Sequence, residues 1–366
     1  MSENKSLIFL PDISGFTNFV NTTASEHSQH IIAELLELLI DNQELDLTLA
    51  DIEGDAIFYY KYQYVPTQEE LFNQAKKMFV NFHSHLKLYE ERRICQCGAC
   101  CSASNLTLKF FAHVGELDFI KIKEDTKPYG KDVIVAHRLM KNDVPIDDYL
   151  LISQGVFDAW GIDEITIPTE LKGIKGHSVY DLGKVDYQYF ELSPLKKYTK
   201  LPDPLKTLTT TDPLIKISGT VKKAPQDLYE FVSNFDHRTK FNTGVDEFKY
   251  QKNRVNRVGT KHTCIVNNKQ FEFETVTQDF GENKLVYGEL THDFPIIKDM
   301  LTFFVIEPEG DQSKITIEAH PQNSSFLAKI ALFFLKGIIS KSIKSLITNI
   351  KSAVEKEKLI MQESGH

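Results

Sequence analysis

The stretch 193–213 constrains this chain most. It carries Pro194, Pro202, Pro204 and Pro213 together with Thr207 and Thr209, Thr210 and Thr211, a composition that cannot present an apolar face for burial. A continuous core cannot run through it. The chain therefore reads as a domain over 1–192, a linker over 193–213, a second domain over 214–358 and a tail over 359–366. Its 366 residues exceed one ordinary core, and 42% hydrophobic with 25% charged residues is a globular composition.

Before the linker the hydrophobic period alternates between strand and helix. Residues 6–11 are a short apolar run that ends in Asp12-Ile13-Ser14-Gly15-Phe16-Thr17. Ile31, Ile32, Leu35, Leu36 and Leu39 then follow the i, i+3, i+4 face of an amphipathic helix. Residues 45–60 read as a hairpin with Glu53-Gly54-Asp55 at its tip. A second helix over 69–93 carries Leu71, Ala75, Met78, Phe79 and Phe82, and a strand over 106–113 follows. A turn at 128–130 leads to a helix over 133–140. The order β-α-β-β-α-β predicts an α+β fold of ferredoxin-like type.

After the linker the pattern is mostly strand. Strands are expected at 214–221, 263–266, 271–277, 285–290, 301–306 and 314–319, with a short helix at 225–235 and one long helix over 325–356. Asn267-Asn268 and Glu309-Gly310-Asp311 make hairpin turns. Lys329, Lys336, Lys341 and Lys344 interrupt the most apolar stretch, so no membrane span is expected. The N-terminus enters an apolar strand without a basic start, which predicts a cytoplasmic protein. A net charge of −9 argues against a nucleic-acid partner.

Four of the five cysteines sit together as Cys95, Cys97, Cys100 and Cys101. Four thiolates could bind Zn²⁺, but the usual C-x₂-C pairs a dozen or more residues apart are missing. A redox-sensitive thiol patch is the other reading.

Leu10-Pro11-Asp12-Ile13-Ser14-Gly15-Phe16-Thr17 resembles the first metal-binding motif of class III adenylyl and guanylyl cyclases, and Glu53-Gly54-Asp55-Ala56 their second. Ala112-His113-Val114-Gly115-Glu116 is similar to the strand before their dimer-interface helix, and residues 129–139 to that helix. The cysteine-rich stretch is similar to that of an uncharacterised bacterial branch of these homologues. The resemblance implies Mg²⁺ or Mn²⁺ held by Asp12 and Asp55 and a nucleoside triphosphate cradled by the backbone at Ile13, Gly15 and Phe16. It further implies a head-to-tail homodimer in which Arg138 of one copy completes the site of the other.

Three positions depart from that pattern. The base-reading Lys and Asp of adenylyl cyclases correspond here to Asp51 and Lys127, an inverted pair that suits guanine better than adenine. The family's transition-state Asn falls on Ile134, which has no hydrogen-bonding side chain. Residues 214–358 resemble the START-like or polyketide-cyclase superfamily through Lys222-Lys223-Ala224-Pro225, Phe235-Asp236-His237-Arg238 and the closing helix. That resemblance implies a helix-grip fold around a cavity for an apolar small molecule or lipid. Phe271, Phe273, Thr275, Phe303 and Val305 are expected on one sheet face, opposite Ile330, Phe334 and Ile338. Two functions remain open: a divergent nucleotide cyclase with guanine preferred, its output modulated by the second domain, or a catalytically inactive dimerising sensor.

Overall fold

The computed structural model describes residues 4–16, 19, 26–167, 169–205, 208, 210, 212–252, 254–292, 299–322 and 326–363. The chain forms two compact units. One comprises residues 1–90 and 98–202, the other residues 91–97 and 203–366.

In the first unit, β1 (Lys5–Ser14), α1 (Glu26–Asp41), β2 (Thr48–Glu53), β3 (Ala56–Lys61), α2 (Gln68–Glu91), the single-turn α3 (Gly98–Ser102) and β4 (Thr107–Glu116) follow in order. A ribbon of β5 (Asp118–Ile122) and β6 (Asp125–Tyr129) leads to α4 (Lys131–Leu139). Then come β7 (Tyr149–Ser153), α5 (Gln154–Trp160), β8 (Gly173–Tyr180) and β9 (Gly183–Glu191). The seven-stranded sheet runs β2-β3-β1-β4-β7-β9-β8. Its first four strands are antiparallel, with β1 between β3 and β4. β7 pairs parallel to β4, which the crossover through α4 makes possible.

Helical period and burial agree closely. Ile31, Ile32, Leu35, Leu36 and Leu39 of α1 are all buried, as are Leu71, Ala75, Met78, Phe79 and Phe82 of α2. β7, with every residue buried, is a central strand whose continuous apolar run hides the period of two.

In the second unit seven strands form one antiparallel sheet in the order β10-β16-β15-β14-β13-β12-β11. They are β10 (Ile215–Val221), β11 (Glu247–Lys249), β12 (Lys261–Val266), β13 (Lys269–Val276), β14 (Leu285–His292), β15 (Asp299–Glu309) and β16 (Gln312–Gln322). Two short helices, α6 (Pro225–Ser233) and α7 (Arg238–Phe241), follow β10, and α8 (Phe326–Glu363) closes the chain. Pro225 sits at the start of α6, where its missing N–H costs nothing. Asn267 and Asn268 both take positive φ, as a tight two-residue hairpin turn requires. Ile343, Ile347, Ile350, Ala353 and Val354 of α8 join the core with Ile315, Ile317 and Phe304 of the sheet. Residues 91–97 belong here through a bridge between Arg93 and Arg257 and a 2.7 Å bond from Tyr229 Oη to the Ile94 carbonyl.

The expected face of this sheet needs correction. Phe273 pairs with Thr291, and Thr275 with Glu289, on one side. Phe303 pairs with Gly288 and, with Val305, packs against Val276, Val286 and Leu301 on the other. Side chains alternate along a strand, so the one-residue offset between Gly288 and Glu289 separates the two sets. Gly288 is required there, because a Cβ would lie 2.7 Å from the Phe303 ring. Phe334 of α8 is 75% exposed rather than turned to the sheet, and the Ile330 side chain lies outside the described residues.

Candidate functional site

Asp12 and Asp55 come together because β1 and β3 are neighbours. Asp12 pairs with Ala56 across the ladder, and Ile13 N donates to the Asp55 carbonyl at 3.1 Å. Burial, and secondarily the Asp55 carboxylate, push the Asp12 pKa up to about 6, while Lys109 opposes the rise. Burial also raises that of Asp55, again opposed by Lys109. Lys109 is the cross-strand partner of Asp12 on β4. The sequence reading missed it, although a lysine amid the apolar run of β4 was a signal. Two carboxylates drawn together at a partly buried strand end form an oxygen-donor set that suits hard cations of Mg²⁺ or Mn²⁺ type. Gly15 follows with φ +87°, a turn open to glycine at little cost. Phe16 beside it is half-buried, and Thr17 lies outside the described residues.

Asp51 and Lys127 meet as the inverted pair would require. Lys127 Nζ lies 2.5 Å from Asp51 Oδ2, with both side chains about half exposed. The lysine's hydrogen bond holds the Asp51 carboxyl below its usual range, and Asp51 raises Lys127 in turn. Asp51 is on β2 and Lys127 on β6, so the pair ties the ribbon to the sheet edge.

On α4, Ile134 and Arg138 share a cavity of about 400 Å³ with Glu53, His137, Met140 and Lys141. Arg138 Nη2 lies 3.0 Å from Asp181 Oδ2, whereas its Nε has no hydrogen-bond partner among the described residues. Ile134 is 47% exposed. The helix is anchored by a buried relay: His113 Nδ1 lies 2.7 Å from Ser153 Oγ, and its Nε2 lies 3.0 Å from Asp132 Oδ1. The His113 hydrogen bond holds Asp132 below the ordinary carboxylate range against the cost of burial. Gly115 leaves room for this contact, since a Cβ there would sit 2.2 Å from Asp132 Cγ.

None of the five cysteines is in a disulfide. Cys97 N donates to Cys95 Sγ at 3.3 Å, and Cys100 Sγ lies 3.5 Å from His27 Nδ1. Cys101 is exposed. No spacing in the sequence links His27 to the cysteines.

In the second unit a cavity of about 870 Å³ lies between the sheet and α8, lined among others by Phe271, Phe273, Cys264, Thr291, Ile338 and Leu346. On the same sheet face, Arg238 and Glu289 form a buried ion pair, and Tyr287 Oη donates to Glu289 at 2.7 Å. His262 stacks on Phe273 and its Nε2 lies 3.5 Å from Glu289 Oε1, with no hydrogen bond to the ring among the described residues. Burial first, then Arg238, pushes its pKa down to about 2, so the ring is neutral. No helix among the described residues is long and apolar enough to cross a membrane.

Comparison with known proteins gives partial matches. The model of a family described as a protein of unknown function, DUF2652, matches residues 32–149. An uncharacterised protein of Mycobacterium tuberculosis, Rv2561/Rv2562, is 29% identical over 175 residues, 47% of this chain and 78% of that one. Solved structures similar to about half the chain are class III cyclase catalytic domains. The guanylyl cyclase domain of a RhoGC fusion protein from Blastocladiella emersonii is 13% identical and covers 50% of this chain and 94% of its own, with a TM-score of 0.34. The adenylyl cyclase CyaB from P. aeruginosa is 14% identical, covering 51% and 93%, also with a TM-score of 0.34.

Proposed function

We propose that the first unit is a divergent nucleotide-cyclase-type domain that binds a nucleoside triphosphate through divalent cations held by Asp12 and Asp55, with guanine preferred. The observation that carries this reading is the pairing of those carboxylates where burial and mutual repulsion raise the proton affinity of Asp12. A site that holds a proton this tightly also gains from a divalent cation, which removes the same repulsion. Bound cations would supply activation of a ribose hydroxyl and charge neutralisation at phosphorus. Asp51 would accept from guanine N1–H and the exocyclic amine, and Lys127 would donate to O6, once their own ion pair opens.

The unit acts as a homodimer in this reading. Leu49 and Ile52 of β2, Phe119, Ile120 and Ile122 of β5, and Ile134 of α4 are all exposed, an apolar surface that a second copy would cover. The second unit binds an apolar small molecule or lipid in its 870 Å³ cavity and modulates the first. Its antiparallel sheet and long closing helix support a helix-grip assignment.

A second reading, a dimerising sensor without turnover, is favoured by two observations. Ile134 supplies no hydrogen bond where the family has a transition-state donor, and Arg138 is engaged by Asp181. Losing one such donor costs about 10²–10³ in rate. Incubation with Mn²⁺ and GTP or ATP, followed by chromatography for cyclic product, separates the two. Cyclic GMP that disappears in Asp55→Ala supports the enzyme, and triphosphate binding without product supports the sensor. Absence of both binding and product overturns the proposal.

A further inference from the structure

The closing helix α8 has a face that neither the core nor the functions assigned so far employ. Over residues 326–354 it carries Lys329, Lys336, Lys341, Lys344 and Lys351 and no Asp or Glu, in a chain whose net charge is −9. Ile343, Ile347, Ile350 and Val354 recur every three or four residues and pack into the core of the second unit. The opposite side of the helix presents Phe333, Phe334 and Ile338, which are 76%, 75% and 64% exposed. The two phenyl rings meet edge to face, with centroids 5.7 Å apart. Lys336, Lys341 and Lys344 are exposed around them. On a period of 3.6 residues, Phe333, Gly337, Lys341 and Lys344 fall in one column, and Phe334 and Ile338 lie beside it.

Large apolar side chains grouped on a surface mark a contact site, and the charge around these selects what makes the contact. A second copy in a two-fold arrangement would set lysines against lysines. An anionic bilayer complements them. There the phenyl rings and Ile338 enter the boundary between headgroups and acyl chains, while the lysines run their stems along apolar surface and leave their ammonium groups among the phosphates. Each lysine near such a surface is worth about a fivefold gain in affinity. Repulsion between the bilayer and acidic groups elsewhere on the chain fades beyond about 8 Å at physiological salt, so the local patch decides the contact. Because the other side of α8 stays in the core, the contact is with the surface and does not span.

We propose that Phe333, Phe334 and Ile338, flanked by Lys336, Lys341 and Lys344, dock the second unit on the surface of an anionic lipid bilayer. Ile338 and Lys341 also line the 870 Å³ cavity, so docking brings one wall of that cavity to the membrane. Docking does not depend on what the cavity holds.

Sedimentation of the full chain with large vesicles tests this, using phosphatidylcholine alone or with about 30% phosphatidylserine. The wild-type chain should sediment with the phosphatidylserine vesicles and stay in solution with the others, and added salt should weaken the binding. Lys336→Gln with Lys344→Gln should weaken it about 25-fold, at about fivefold per lysine; neither residue lines the cavity. Phe333→Ser with Phe334→Ser should weaken it at least about 10-fold. Circular dichroism should show both variants folded, as exposed positions allow. Phe334→Trp, read against the emission of Trp160 in the wild-type chain, should shift to the blue when phosphatidylserine vesicles are added. A wild-type chain that stays in solution with these vesicles overturns the proposal. If its self-association is then lost in the Phe333→Ser and Phe334→Ser variant, the face is an interface between copies instead. Equal binding to both kinds of vesicle, binding that survives both pairs of substitutions, or an unshifted Phe334→Trp emission overturns it as well.

Discussion

Replacing Asp12 by Asn should stabilise the metal-free protein at neutral pH and leave its stability near pH 4 almost unchanged. The folded-state pKa of about 6 stands above the usual 3.8, with burial the main cause and Asp55 the second. Between about pH 4 and 6 the folded state thus holds more protons than the unfolded one, and stability falls as pH rises through that window. Above pH 6 the penalty is complete. A rise of about 2 units at 1.36 kcal/mol per unit sets an upper value of about 3 kcal/mol. Asn keeps the shape of the side chain without the charge, so Asp12→Asn should recover most of this at pH 7.5 and almost none at pH 4. At about 2–4 °C per kcal/mol for a unit of this size, the first unit should melt several degrees higher at pH 7.5. Melting followed by circular dichroism from pH 4 to 8 reads the difference directly, because titrations common to both proteins cancel. A wild-type and variant pair that differ by the same amount at pH 4 and pH 7.5 would refute the electrostatic account of the site.

Three further outcomes follow from the geometry. Competition against labelled GTP in Mn²⁺ should show GTP bound at least about 10-fold more tightly than ATP, since one desolvated polar mismatch is worth on the order of 1–3 kcal/mol. Equal displacement would return Asp51 and Lys127 to an exposed ion pair. Light scattering at micromolar concentration should give a dimer, and Ile52→Lys with Phe119→Lys should shift it toward monomer; a strictly monomeric wild-type chain removes the shared site. A fluorescent fatty acid should bind the wild-type chain and lose affinity at least 10-fold in Leu346→Trp, which fills the cavity. Unchanged binding would place the ligand elsewhere.

The elements were legible because their local signals were strong and consistent. The face of α1 from Ile31 to Leu39, the hairpin at Gly54 and the turn at Asn267-Asn268 each combine periodicity with backbone chemistry. Which face of the second sheet Phe303 joins was not legible, because it depends on the pairing of β14 with β15 rather than on any local pattern. Lys109 was missed for a similar reason: its role appears only when β1 and β4 bring it opposite Asp12. His27 and the cysteines are separated by more than sixty residues of sequence, and no spacing rule spans that distance. The His113–Asp132–Ser153 relay likewise joins three elements that only the fold brings into contact.

The central claim is that Asp12 and Asp55 hold the cation that in turn holds a triphosphate. Isothermal calorimetry of the full chain titrated with GTP in excess Mn²⁺ tests it most directly, with Asp55→Ala as comparison. The account predicts saturable, Mn²⁺-dependent binding to the wild-type chain that weakens at least about 100-fold in Asp55→Ala, a loss of about 2.7 kcal/mol. Equal affinity in the two proteins, or binding that persists without a divalent cation, would contradict it and leave the two aspartates as strand-end turn residues.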